Sequence, residues 1–169
     1  PTNMGLALLA NLSAYDFGTL SAGKLIERTT KALHTMEGLE RHRGHFYNWY
    51  DTRSLKPLPP LYISSVDSGN LAGHLLTLRP GLLALPDHKI LGTRFFEGLR
   101  DTLRIVIGAA ATAPEGVAPG VYAPVQFAQL QQELESVIRS QPTTLIALRR
   151  CLDQLATSAA AVVAGVEAL

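Results

Sequence analysis

Apolar positions recur at helical spacing along most of the chain, and one stretch breaks the pattern. After Pro1, Thr2 or Asn3 can cap a first helix carrying Met4, Leu6, Leu8, Leu9 and Leu12. It is apolar nearly all round, which predicts burial, and Asp16-Phe17-Gly18 breaks it. Thr19 and Ser21 are cap candidates for a second helix. Leu25, Ile26, Leu33, Met36 and Leu39 form its apolar side, and Lys24, Glu27, Arg28 and Lys31 its outer face. It is expected to end near Arg41–Gly44. A third helix, capped by Ser65 or Asp67, runs through Leu71, Leu75, Leu76 and Leu78. Gly69 and Gly73 would let a backbone or ligand approach it closely. Arg79-Pro80-Gly81 is expected to interrupt the pattern, with Leu82-Leu83-Ala84-Leu85 as a short apolar turn.

Pro86-Asp87 then opens a helix with Ile90, Leu91, Phe95, Leu99, Leu103 and Ile107. Residues 109–124 are small and contain Pro and Gly. Two helices close the chain, one with Phe127, Leu130, Leu134, Val137 and Ile138. The other comes after Pro142-Thr143 with Leu145, Ile146, Leu148, Leu152 and Leu155. No strand ladder is predicted. The class is all-α, built of helical hairpins, and divides into a segment 1–110, a linker 111–124 and a hairpin 125–169 that packs or is inserted.

The exception is Arg43-Gly44-His45-Phe46-Tyr47-Asn48-Trp49-Tyr50-Asp51-Thr52 and its continuation to Asn70. It holds the sole Trp and lacks an apolar period. Pro57, Pro59 and Pro60 forbid helix or central strand and hold an extended, stiff segment.

Composition narrows the class. The 169 residues suggest one domain, or a piece of one, able to bury a core without disulfides or metals. A net charge of +1 argues against a dedicated nucleic-acid surface. The single Cys151 excludes an intrachain disulfide and reads as a structural thiol. No uncharged apolar run reaches membrane-spanning length. The chain opens at Pro1, in mid-pattern, as a cut-out of something longer would.

Sugars are bound by aromatic faces stacked on the pyranose and by planar polar groups that make directional bonds to hydroxyls. The central stretch offers Phe46, Tyr47, Trp49, Tyr50 and Tyr62 for the first device. Arg43, His45, Asn48, Asp51, Arg53, Asp67 and Asn70 serve the second. If it is extended, His45, Tyr47, Trp49 and Asp51 face one way and Phe46, Asn48 and Tyr50 the other. The competing reading is a packed loop, in which Trp and Tyr are core, Asp67 caps a helix and Asp51 closes an Asx-turn. A glycosidase needs two carboxyls across the scissile bond, and Asp51 and Asp67 are the local candidates. His42 and His45 have no carboxylate or Cys cluster at ligand spacing, so no metal is expected, nor any cofactor. Gly69-Asn70-Leu71-Ala72-Gly73 is not a phosphate loop, no Gly-x-Ser-x-Gly occurs, and Glu37 and Glu40 read as a solvated face.

Pro1-Thr2-Asn3-Met4-Gly5-Leu6, Leu39-Glu40-Arg41-His42 continuing through Thr52, Pro57-Leu58-Pro59-Pro60 and Ser64–Leu75 together resemble the glucoamylase-like region of cyclic β-1,2-glucan synthases. The likeness is long and specific to about residue 80 and weak after about 110. These are very large proteins of the bacterial inner membrane. They combine a glycosyltransferase domain, membrane helices, the glucoamylase-like domain and a phosphorylase-like domain. The resemblance implies part of an (α/α)6 toroid, implicated in the transglycosylation that closes linear glucan into a ring. It implies β-1,2-glucan and the remaining domains of a parent chain as partners. This segment itself would be soluble, and as a fragment inactive and prone to self-association. Substrate contact is carried over to Arg43, His45, Tyr47, Asn48, Trp49, Tyr50, Asp51, Asp67 and Asn70. Catalysis is not carried over, because the family's acidic residues can lie outside this chain. The alternative function is a non-catalytic helical scaffold or interaction module with the aromatic stretch as its core.

Overall fold

The computed structural model describes residues 1–89, 92–111 and 124–167. Six α-helices dominate it: α1 (Thr2–Asp16), α2 (Ala22–Gly38), α3 (Ser65–Leu83), α4 (Thr93–Ala111), α5 (Pro124–Ser140) and α6 (Leu145–Glu167). The all-α reading holds, with one addition. A two-stranded antiparallel ladder, β1 (Arg41–His42) and β2 (His45–Phe46), joins α2 to the aromatic stretch. The chain forms two compact units, Pro1–Ile90 and Leu91–Leu169.

In the first unit α1 and α3 run parallel. Thr2 meets Asp67 and Asn70, Gly5 lies against His74, Leu12 lies against Gly81, and Tyr15 stacks on His88. The contacts climb both helices together. Helix α2 returns antiparallel between them in the chain and adds Met36, Leu33 and Ala32 to a core of Leu8, Leu71 and Leu78. The close approach uses Gly5 and Gly81. A methyl group on either would run into His74 or Leu12. Gly69 and Gly73, the glycines the sequence points to, face open space instead.

Helix α3 continues across Pro80 to Leu83 rather than stopping at Arg79-Pro80-Gly81. Leu78 and Leu82 keep the apolar register of Leu71 and Leu75 across the proline. That packing outweighs one lost backbone bond. The caps differ too. Ser64, not Ser65 or Asp67, caps α3, its Oγ accepting from Asp67 N at 3.1 Å. Ser21 caps α2 in the same way through Lys24 N. Pro1 begins α1 with no side-chain cap. The expected all-round burial of α1 is not met: Gly5 and Leu8 are its buried residues, and Leu6 is half exposed. A single neighbouring layer covers only one side of such a helix.

In the second unit α4 packs on α5 and α5 on α6. Their core is Phe96 and Leu103 with Phe127, Leu130, Leu134, Val137, Leu148, Leu155 and Val162. The helix at 93–111, grouped with the first segment on sequence, therefore shares its core with α5 and α6. It begins at Thr93, after a short 3-10 helix (Leu85–Asp87), rather than at Pro86-Asp87. Most of the expected linker, residues 112–123, lies outside the described residues.

Candidate functional site

The ladder exists because Arg43 and Gly44 both adopt positive φ, 51° and 85°. Two such residues make the tight turn whose twist matches a hairpin, and Gly supplies the second at no steric cost. Arg41↔Phe46 and His42↔His45 are the cross-strand pairs. The Arg41 guanidinium sits 4.6 Å from the centroid of the Phe46 ring and donates to the Met36 and Glu37 carbonyls at the end of α2. One residue thus closes a helix end and pins the hairpin to it.

The chain then folds back on itself. Asn48 N donates to Tyr62 O at 2.8 Å, Leu58 N to Trp49 O at 3.0 Å and Asp51 N to Lys56 O at 2.9 Å, with a bridge between Tyr50 and Pro57. The tip is held by Asp51, whose Oδ1 accepts from Arg53 N, Ser54 N and Ser54 Oγ at 3.1, 2.6 and 2.8 Å. This is the Asx-type turn. The bonds from the Ser54 amide and hydroxyl, then the Arg53 amide, hold the Asp51 carboxyl below its usual range.

The aromatic residues separate into two sets, and not by the alternation an extended strand would give. Tyr47 is buried. It meets Tyr50 edge-on at 6.4 Å, and the Tyr50 hydroxyl accepts from Tyr47 N and donates to Glu40 O at 2.7 Å. Burial pushes the Tyr50 phenol above its usual range, which keeps it a donor. These two rings are internal packing of the loop. Trp49 and Tyr62 stack on each other at 6.1 Å with planes 26° apart, and remain 48% and 52% exposed. Tyr47 and Trp49 therefore do not share a face. The bend at 47–50 breaks the strand geometry on which that expectation rests. Asn48 sits between the sets with its Oδ1 buried and unpartnered.

The loop is moored over the first turn of α3. His45 Nδ1 lies 3.1 Å from Ser68 Oγ, and Ser68 Oγ donates to Ser64 O. Asp67 Oδ1 accepts from Thr2 Oγ1 at 2.6 Å, and Asn70 Nδ2 donates to the same hydroxyl at 3.2 Å. Thr2, then Ser64, holds the Asp67 carboxyl below its usual range. Since α1 and α3 are parallel, the positive ends of both helix dipoles lie at this end.

The structure thus brings His45, Asp67 and Asn70 together around α3 and places Trp49 on an exposed loop. It commits Tyr47, Tyr50 and Asp51 to that loop's own architecture, and leaves Arg43 at an exposed turn. A carboxyl that donates a proton to a leaving glycosidic oxygen needs a raised pKa. Asp51 and Asp67 are shifted the other way. Thr2, Ser64, Ser68 and Arg41 complete the network and escaped sequence reasoning. The Ser64-x-x-Asp67 spacing before an apolar run was the available signal for two of the partners. Among the described residues no group of three or more His, Cys, Asp or Glu side chains could hold a metal ion, and no helix is long and apolar enough to cross a membrane.

No family model matches the chain. Over 78 residues, 46% of its length, it is 47% identical to the cyclic beta-(1,2)-glucan synthase NdvB of Rhizobium meliloti (strain 1021). Across that stretch the chain is similar to a piece of a cyclic glucan synthase, and it spans about 3% of that relative's length.

Proposed function

We propose that this chain is part of a glucan-handling helical domain of a larger synthase, and that the loop over the N-terminal end of α3 contacts a β-1,2-glucan undergoing transglycosylation. The carrying observation is the 47% identity over 78 residues to a protein named for making cyclic β-(1,2)-glucan. The architecture agrees with it. Helices α1 and α3 are nearly uncharged and parallel, whereas α2 carries Lys24, Glu27 and Lys31 on an exposed face. Such an order would suit an (α/α) toroid, in which apolar inner helices alternate with amphipathic outer ones. Loops at one end of the inner helices then line the cleft. Arg43, His45, Asn48, Trp49 and Asn70 are the direct contacts in this reading. Tyr47, Tyr50, Asp51 and Asp67 shape the loop that presents them, and the acid and base come from elsewhere in the synthase.

Amide hydrogen exchange of the 169-residue chain with and without β-1,2-glucooligosaccharides tests this. Slowed exchange is expected within residues 43–70, with none induced by β-1,4-linked oligosaccharides. Calorimetric binding without protection in that segment, or no binding, would overturn the reading.

A further inference from the structure

We propose that Trp49 and Tyr62 act as one two-ring stacking element for an uncharged pyranose, a contact that rests on the glucan reading above but is not required by it. The rings are stacked at 6.1 Å and 26°, and each is about half exposed. Leaving so much aromatic surface in water forgoes the burial that Tyr47 achieves two residues earlier. The backbone segments that carry the rings are nevertheless tied together. The bond from Asn48 N to Tyr62 O fixes the two ring-bearing segments side by side, and the bond from Leu58 N to Trp49 O holds the other edge of Trp49's backbone. Binding would therefore cost little ordering of the backbone, and the rings already stack on each other.

Chemistry at the pair favours a neutral ligand. The nearest carboxylate in sequence, Asp51, has its Oδ1 engaged by the Arg53 and Ser54 donors and is turned to the loop tip. The outer faces of two stacked rings offer π surface to the C–H face of a β-glucopyranose. The exposed Leu58 and Leu61, on the same two segments, are aliphatic and suit a protein surface as well, so the experiment must separate the two.

Trp49 is the sole tryptophan, so its emission reports on this site alone. The 169-residue chain is titrated with β-1,2-, β-1,3- and β-1,4-glucooligosaccharides, with calorimetry in parallel. A saturable emission change is expected. Tyr62→Ala and Trp49→Ala should each weaken Kd by about tenfold or more, Tyr62→Phe should retain binding, and Leu58→Ala should change it little. Circular dichroism checks that the variants fold, and Trp49→Leu or Tyr62→Leu replaces an alanine variant that does not. Undiminished binding in the alanine variants overturns the proposal and leaves the glucan function standing. Aromatic-dependent binding of β-1,3- or β-1,4-glucans alone keeps the element and overturns the β-1,2 assignment. No sugar response, with self-association that Trp49→Ala abolishes, overturns both and marks a protein contact. No response and no such association also overturns both.

Discussion

Thr2 Oγ1 donates to Asp67 Oδ1 at 2.6 Å, tying the first turn of α1 to the first turn of α3. The bond favours the ionised carboxyl and is the largest cause of its lowered pKa. A depressed pKa contributes stability that is present above the unfolded-state value and is lost as pH falls through the folded one. Thr2→Val should therefore raise the Asp67 pKa toward the ordinary carboxylate range and destabilise the first unit at neutral pH. The difference between variant and parent should shrink on acidification. Carbon-detected NMR titration of the Asp67 carboxyl and denaturant unfolding at several pH values check both parts.

Glu27 supplies an independent pH effect. Hydrogen bonds from Lys24 and Lys31, each 2.7 Å away, lower its pKa from 4.5 to about 2. By the same sign rule its contribution is complete above about 4.5 and lost toward about 2. Glu27→Gln should abolish that part of the pH dependence, and high salt should weaken it, because the triad is exposed. Unfolding midpoints of parent and variant across this range, at low and high ionic strength, provide the comparison.

Two glycine substitutions should have opposite signs. An alanine methyl at Gly5 would run into the Cβ and ring of His74, and the Cβ cannot move without moving α3. Gly5→Ala should cost about 1–3 kcal/mol. Gly69 lies in α3 with nothing within 4 Å of the added methyl, so Gly69→Ala should gain about 0.5–1 kcal/mol from helix propensity. Chemical denaturation of both variants decides the matter, and equal effects would contradict the parallel close packing of α1 and α3.

The outer side of α3 leaves Val66, Leu76 and Leu83 69%, 73% and 60% exposed. Exposed apolar side chains of this size favour association. The isolated chain is expected to self-associate, and Leu76→Lys to shift it toward monomer. Size-exclusion chromatography with light scattering measures this, and a parent monomer throughout the micromolar range would contradict it.

Helices were legible in the sequence where one face was apolar and the other polar, most fully in α5: Phe127, Leu130, Leu134 and Val137 are both the expected and the observed core. In α2 and α6 the element type was legible but the buried side only in part, since Ile26, Leu145 and Ile146, expected on the apolar side, are 54%, 83% and 71% exposed. Legibility fell where tertiary packing overrode local chemistry. Pro80 breaks helices on average, yet Leu78, Gly81 and Leu82 are seated against neighbouring groups and carry α3 through. The Arg43-Gly44 turn passed unnoticed because Arg is an uncommon residue at positive φ. In the candidate site, residue type drew attention to one loop but did not reveal which of its aromatic rings are packed and which exposed. Tyr47 and Trp49 are two apart, yet Tyr47 turns inward beside Tyr50, whose hydroxyl accepts from Tyr47 N, while Trp49 turns out and stacks on Tyr62.

The parallel pairing of α1 with α3 frees the site loop from the frame that carries it. The two helices meet through Thr2–Asp67, Gly5–His74 and Leu12–Gly81, and none of those contacts involves the loop tip at 52–55. Lengthening the tip at 52–55 would add loop-closure entropy of only about 0.6 kcal/mol per doubling, with the mooring points at Tyr62 and Ser68 undisturbed. The tip of the loop can therefore change length while the helices keep their contacts, which makes residues 52–55 the part of the first unit most open to insertion.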